Sequence, residues 1–151
     1  MLKREYPNQP LAGVGAIIIN KGKIILVKRG VEPGKGKWSI PGGLVELGET
    51  VREATVREAK EETGLDVEIV MDRPIDAFDN VDIDSQGGLR YHYILIQFLT
   101  RPKSGTLKPS SDVVDAKWVS LEEIEKYDLT KPFRKFFTKH KDELVEFSRG
   151  S

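Results

Sequence analysis

The sequence predicts an α+β domain in which β-strands and helices pack as layers. Three observations lead there. GVGAIIIN (13–20), KIILVKR (23–29) and LRYHYILIQFLT (89–100) have strand length and are rich in β-branched and aromatic residues. TVREATVREAKEETG (50–64) carries a helix start signal at one end and a stop signal at the other. KPFRKFFTKHKDELVEF (131–147) repeats its apolar residues at helical spacing.

In chain order, Asn20-Lys21-Gly22 joins the first two strands as a hairpin turn. RGVEPGKGK (29–37) is a loop broken by Pro33, Gly34 and Gly36. WSIPGG (38–43) reads as a short strand and LVELGE (44–49) as an extended piece with a turn. Thr50 has the N-cap position of a capping box closed by Glu53, and Gly64 supplies the left-handed stop after Thr63. LDVEIVMDRPIDAF (65–78) reads as a strand with Pro74 at an edge or bulge, and DNVDIDSQGG (79–88) as an acidic loop. RPKSGTLKPSSD (101–112) reads as a loop with room for a short strand at its middle, VVDAKWVS (113–120) as a strand and LEEIEKY (121–127) as a short helix. With 151 residues, no repeat and no low-complexity linker, residues 1–151 suit a single domain. The closing Gly150-Ser151 reads as a cloning remnant.

Composition narrows the function. Lys and Arg number 24 against 24 Asp and Glu, so bulk electrostatic binding of nucleic acid is not expected. With no cysteine, disulfides, thiolate chemistry and cysteine-ligated metals are excluded. A metal site in such a chain would be built from oxygen ligands, which favours magnesium, manganese or calcium. No apolar run approaches the roughly 20 residues of a membrane helix, and MLKREYPNQP lacks an apolar signal core, so the expected setting is cytoplasmic with no membrane partner.

REAKEETG (57–64) poses the chemical question. On a helix of 3.6 residues per turn, Glu58, Glu61 and Glu62 fall within the same arc of roughly 120° as Val51, Ala54 and Thr55. Glu61 stands at one margin of that arc, and Lys60 falls on the opposite side. The three acids thus share the face of the small and apolar residues and are expected to turn inward. Glu53–Arg57 and Arg57–Glu61 are favourable pairs, as on any solvated charged helix. Glu58–Glu62 is a like-charge pair that costs about 0.2–0.5 kcal/mol when exposed and more when buried. A divalent cation would turn that repulsion into ligation.

Gly43, five residues, Glu49, seven residues, then Arg57-Glu58-Ala59-Lys60-Glu61-Glu62-Thr63-Gly64-Leu65 resembles the Nudix box with every fixed position filled. The resemblance extends to the preceding hairpin, the WSIPGG entry, the long later strand and DAKWVSLEE. It implies an α/β/α sandwich with a mixed β-sheet and a loop–helix–loop catalytic motif. It implies Mg2+-dependent hydrolysis of a diphosphate bond in a nucleoside diphosphate linked to another group, with Mn2+ as a substitute ion. Glu58, Glu61 and Glu62 then correspond to metal ligands, with the backbone carbonyl of Gly42 or Gly43 completing the coordination. Arg57 corresponds to the residue that orients a ligand glutamate, and Glu49 to a supporting acid. A further acid lies before the late tryptophan in some members; Asp112 holds a similar place here, with Asp115 as the alternative. The proton acceptor would be Glu62, Glu58 or Asp112.

Outside the box, Arg29 ends the second strand and would face the site as a phosphate contact, with Lys37 a weaker candidate. Phe78, Tyr91 and Tyr93 are candidates for stacking on a base, against the alternative of aromatic packing. Strand alternation puts Tyr91 and Tyr93 on one face and His92 on the other. Trp38 reads as core and His92 as a hydrogen-bonded strand residue. Asp76, Asp79, Asp82 and Asp84 read as a solvated acidic stretch that could border a metal site. The short marks that separate substrate classes, a proline for ADP-ribose and a tyrosine for dinucleoside polyphosphates, are absent where Val81, Asp82 and Ile83 stand. ADP-ribose or a similar nucleotide sugar or dinucleotide is preferred by resemblance to small, unspecialised members. The alternatives are pyrophosphohydrolysis of a nucleoside triphosphate, modified or not, and a module that senses nucleotide without cleaving it. The expected partner is a small nucleotide, and the apolar N-terminal strand leaves a homodimer open.

Overall fold

The first strand is buried along nearly its whole length, which requires a sheet covered on both faces. The computed structural model describes residues 3–149 and shows that arrangement. Gly150-Ser151 lies outside the described residues. β1 (Leu11–Asn20) and β2 (Lys23–Arg29) form the expected hairpin through a two-residue turn. Both turn residues, Lys21 and Gly22, are left-handed, at φ 49° and 78°, the pair of conformations a tight hairpin needs.

The sheet is mixed and eight-stranded. β1 runs parallel to β7 (Leu89–Gly105), in register from Leu11 opposite Tyr93 to Ile18 opposite Thr100. It pairs antiparallel with β4 (Gly42–Leu44). β7 also pairs with β6 (Asp76–Ile83) and, further along, with β5 (Leu65–Ile69). β2 pairs with β8 (Val113–Ser120) and with the short β3 (Trp38–Ser39). Strand alternation then divides the core. Ile17, Ile19, Ile24 and Leu26 meet Phe133, Phe136, Phe137 and Leu144 of α2 (Lys131–Arg149). The intervening Ala16, Ile18, Ile25 and Val27 pack on the other face with Ala59 of α1 (Val51–Thr63), Leu65 and Val67.

α1 begins and ends as its local chemistry dictates. Thr50 Oγ1 accepts from the Glu53 N–H at 3.1 Å, and the Glu53 carboxylate accepts from the Thr50 N–H at 2.9 Å. Gly64 closes the helix at φ 79°.

Five segments differ from the sequence expectation. The strand expected over 65–78 is broken into β5 and β6, with Pro74 in the break, where its missing N–H costs no ladder bond. The acidic stretch expected as a loop pairs as far as Ile83 in β6, because β7 is long enough to give it a partner. Only Asp84 to Gly88 forms the turn, with Asp84 Oδ1 accepting from the N–H groups of Gln86 (2.9 Å) and Gly88 (2.7 Å). β7 continues into the expected 101–112 loop as far as Gly105 because β5 lies beside it. WSIPGG is two strands on two partners, β3 on β2 and β4 on β1, divided at Ile40-Pro41. LEEIEKY holds a single 3-10 turn over Ile124–Lys126, and Tyr127 is already extended.

Candidate active site

β1 carries Gly13 and Gly15 on the face that α2 covers lower down, and two glycines on alternate positions leave that face without side chains. A cleft of about 980 Å³ opens there. Its floor is Gly13 and Gly15 of β1, the β7 residues Tyr91, Tyr93, Leu95 and Gln97, and their β6 partners Asp82, Asn80, Phe78 and Asp76. One wall is the start of α2 and the other is the β4 edge with the acids of α1.

The acid edge is built through Gly42 and Gly43. A side chain on Gly42 would collide with the Val14 carbonyl, so only glycine lets β4 lie this close to β1. A Cβ on Gly43 would stand 2.5 Å from Cδ of Glu58, so the Glu58 carboxylate lies directly over that glycine. The Gly42 N–H donates to Glu62 Oε1 at 3.0 Å. Glu62 is only 5% exposed, and its burial pushes the carboxyl up to about 8 despite the Gly42 hydrogen bond. Glu58 is also raised, by burial above all, with Arg57 pulling it back and Glu61 and Asp112 adding to the rise.

Arg57 organises the rest. Its Nε and Nη2 grip Glu49 with both carboxylate oxygens, at 2.7 and 2.9 Å, and Nη2 also donates to the Leu44 carbonyl at 3.0 Å. Nη1 donates to Glu58 Oε1 at 2.8 Å and Glu61 Oε2 at 3.2 Å. The two-point hydrogen bond holds Glu49 down at about 2 and raises the Arg57 guanidinium further above its ordinary value. Among the described residues, no three acidic or histidine side chains stand as a ready-made metal cage. Arg57 holds one oxygen of each of Glu58 and Glu61, Oε1 and Oε2 respectively, which leaves the second oxygen of each carboxylate outside that contact. The donor set nevertheless fits a hard cation: it is all oxygen, and a buried carboxylate such as Glu62, with one N–H for company, is ionised at neutral pH only beside a positive charge.

The expected residues separate cleanly. Glu58, Glu61, Glu62, Arg57, Gly42, Gly43, Arg29, Lys37, Phe78, Tyr91, Tyr93 and Asp112 all border the cleft. Glu49 lies behind it, on Arg57. The inward turn expected of all three glutamates holds for Glu62 and in part for Glu58, but the Glu61 side chain is 46% exposed, because its position falls at the margin of the buried face. Asp112 stands close enough to bear on both Glu58 and Glu62, whereas Asp115 is outside the cleft and accepts from the Ala116 N–H at 2.8 Å. Tyr91 and Tyr93 are 4% and 7% exposed and stack on each other at 6.1 Å, which leaves little ring surface for a base. Trp38 packs edge-on against Tyr127, away from the cleft. Asp76, Asp79 and Asp82 border the cleft and Asp84 belongs to the turn.

Two features were not anticipated. Lys131, Lys135 and Lys139 line the α2 wall, and their spacing of four was legible once 131–147 was read as a helix. Gln97 lies in the floor, and no local signal marks it, since its neighbours across the sheet come from distant segments.

Comparison with known proteins agrees with this geometry. The family profile described as NUDIX domain matches residues 9–140. An ADP-ribose pyrophosphatase from Methanocaldococcus jannaschii is 39% identical over 117 residues, covering 78% of this chain and 66% of that protein. The nucleoside triphosphatase NudI from Enterobacter sp. (strain 638) is 31% identical over 131 residues, covering 81% of this chain and 90% of that one. Among solved structures, a bifunctional NMN adenylyltransferase/ADP ribose pyrophosphatase from Francisella tularensis, complexed with AMP and a Mn ion, superposes at a TM-score of 0.71 with 26% identity, over 90% of this chain and 42% of that one. Of the first three curated relatives matched, the chain spans 66%, 32% and 21% of their own length.

Proposed function

Because the chain belongs to the Nudix family, whose domain accounts for residues 9–140, we propose that it hydrolyses the diphosphate bond of nucleoside diphosphate-linked substrates, ADP-ribose first among them. The observation that carries this reading is the buried Glu62 carboxylate, held by the Gly42 N–H at the edge of a nucleotide-sized cleft beside Glu58, Glu61 and Asp112. The named activity of the 39% identical relative supports the choice of substrate.

Glu58, Glu61 and Glu62 would hold magnesium, or manganese in its place, with a Gly42 or Gly43 carbonyl alongside. When bound, the ion neutralises diphosphate oxygens and acidifies a water. The chain's own groups do the remainder. Glu49 fixes the Arg57 fork, and Arg57 in turn sets where the Glu58 and Glu61 carboxylates stand. Gly42 and Gly43 let substrate oxygens approach the backbone. Arg29, whose Nε is anchored on the Pro33 carbonyl at 2.5 Å, presents a fixed cation to a phosphate. The proton of the attacking water passes to a carboxylate oxygen of Glu62, Glu58 or Asp112, and in-line placement with charge neutralisation supplies most of the acceleration.

A second reading is pyrophosphohydrolysis of a nucleoside triphosphate. The lysine row Lys131, Lys135 and Lys139 favours it, as countercharge for a third phosphate, and so does the 31% identical triphosphatase relative. A phosphate-release panel of ADP-ribose, dinucleoside polyphosphates, NAD, FAD and nucleoside triphosphates, run in Mg2+ and in Mn2+, decides between them. Glu62→Gln keeps the acceptor for Gly42 and loses the charge; it is expected to cost about a hundredfold or more in kcat, beyond what ligand-supporting residues cost. Unchanged turnover in this variant would remove Glu62 from the mechanism.

A further inference from the structure

Gln97 lies in the cleft floor, is 5% exposed, and its Oε1 is buried with no hydrogen-bond partner among the described residues. An amide oxygen left unpaired in this way is costly, and a Leu or Met would suit the surrounding Ile40, Leu95 and Leu99 if packing were all that mattered. The neighbouring strand makes room for it. A Cβ on Gly15 would collide with Gln97 Oε1 and would come within 2.7 Å of Ile40 Cδ1. Both the unpaired oxygen and the glycine beside it point to a ligand that supplies the missing partner.

The sheet register says which part of a nucleotide that would be. Gly42, Gly15, Gln97 and Asp76 form one row across four strands. Gly42 holds Glu62 at one end, so the Gln97 backbone lies two strand spacings, about 10 Å, from the acid edge, and its side-chain oxygen, over Gly15, lies about one spacing from it. The carboxamide thus ranges over the outer half of the roughly 10 Å that a nucleoside spans from its phosphorus to its base edge. Asp76, next in the row, is already saturated: Oδ1 accepts from the Ala77 N–H at 2.8 Å, and Oδ2 meets His140 Nε2 at 2.7 Å and Lys139 at 3.5 Å. Phe78 and Phe136, 6.4 Å apart, give this corner an apolar flank.

Resting on the diphosphate-hydrolase reading above, we propose that Gln97 reads the base of the substrate and matches adenine. Its carbonyl accepts from the 6-amino group while its amide N–H donates to the adjacent ring nitrogen, a two-point fit natural to a carboxamide. The terminal torsion of a glutamine is soft, so the amide turns both atoms to the cleft without moving the backbone.

The test compares ADP-ribose with its 6-desamino analogue on three proteins: wild type, Gln97→Met (similar length, no polar atoms) and Gln97→Glu (same shape, no N–H). Wild type is expected to favour ADP-ribose by about tenfold to a hundredfold in kcat/KM, mostly through KM, and Gln97→Met to lose that preference with kcat largely kept. A Gln97→Met protein that keeps the wild-type preference overturns the proposal. So does one that loses the same factor on both substrates, which is the signature of a purely structural role. Gln97→Leu serves if the Met variant does not fold, with the same expected loss of preference, whereas Gln97→Glu keeps the acceptor and lacks the donor and is expected to weaken both substrates while ADP-ribose stays favoured. Equilibrium binding of ADP and 6-desamino-ADP reads the same contact without turnover. If wild type hydrolyses no diphosphate but binds ADP in preference to its analogue, the activity reading fails and the base contact stands.

Discussion

Adding one methyl group at Gly43 separates the chemistry of the site from its stability. In Gly43→Ala the new carbon would stand 2.5 Å from Cδ and Oε1 of Glu58 and 2.6 Å from Oε2. Carbon contacts settle at about 3.5–4.0 Å, so the carboxylate must retreat by roughly 1 Å. What yields is the far end of a flexible side chain, so the fold is little disturbed. Gly43 adopts no left-handed conformation, and the lost freedom of the unfolded chain offsets part of any cost, at about 0.4–1 kcal/mol. A reacting group misplaced by about 1 Å costs on the order of a hundredfold in rate. Gly43→Ala is therefore expected to melt close to wild type while kcat falls about a hundredfold. Gly42→Ala is the internal control: its methyl meets the Val14 backbone carbonyl, which cannot move aside, and a loss of about 1–3 kcal/mol is expected. Calorimetry on both variants, with steady-state hydrolysis of the best substrate in Mg2+, reads both effects. Near wild-type kcat in a well-folded Gly43→Ala protein would refute the claim that the placement of Glu58 matters.

The Glu49–Arg57 bond predicts an acid-range stability change. Because the folded-state pKa of Glu49 lies near 2, below its ordinary 4.5, its contribution is complete above about pH 4.5 and is lost as pH falls toward 2; Glu49→Gln should lack this component in denaturant titrations across that range. Asp112→Asn is expected to lower kcat whereas Asp115→Asn leaves it near wild type, since only Asp112 borders the cleft; equal kinetics for the two would show the loop acid to be idle. Gly64→Ala forces a side chain into φ 79° and to within 2.6 Å of the Thr106 carbonyl, so a loss of about 1–2 kcal/mol by chemical denaturation is expected, with no change in KM. Thr50→Ala removes the cap oxygen from Glu53 N–H and should cost about 1 kcal/mol by the same measurement.

What the sequence determined by itself is whatever depends on short-range spacing. The capping box at Thr50 and Glu53, the glycine stop at Gly64, the tight turn at Lys21-Gly22 and the acid pattern of Glu58, Glu61 and Glu62 follow from contacts within a few residues, where chemistry and chain position coincide. The strand character of β1 was legible in the same way, from its β-branched run, whereas its burial on both faces came with the helices packed on either side. Tertiary structure decided whatever depends on partners far along the chain. An acidic stretch became β6 because β7 offered it hydrogen bonds, and backbone pairing is blind to side chains that face solvent. Asp112 rather than Asp115 reached the acids because Gly30 pins the loop through the Asp112 carbonyl at 2.7 Å. Gln97 gained its place only when β1, β6 and β7 came into register, and no pattern inside β7 encodes which residue will stand opposite a glycine.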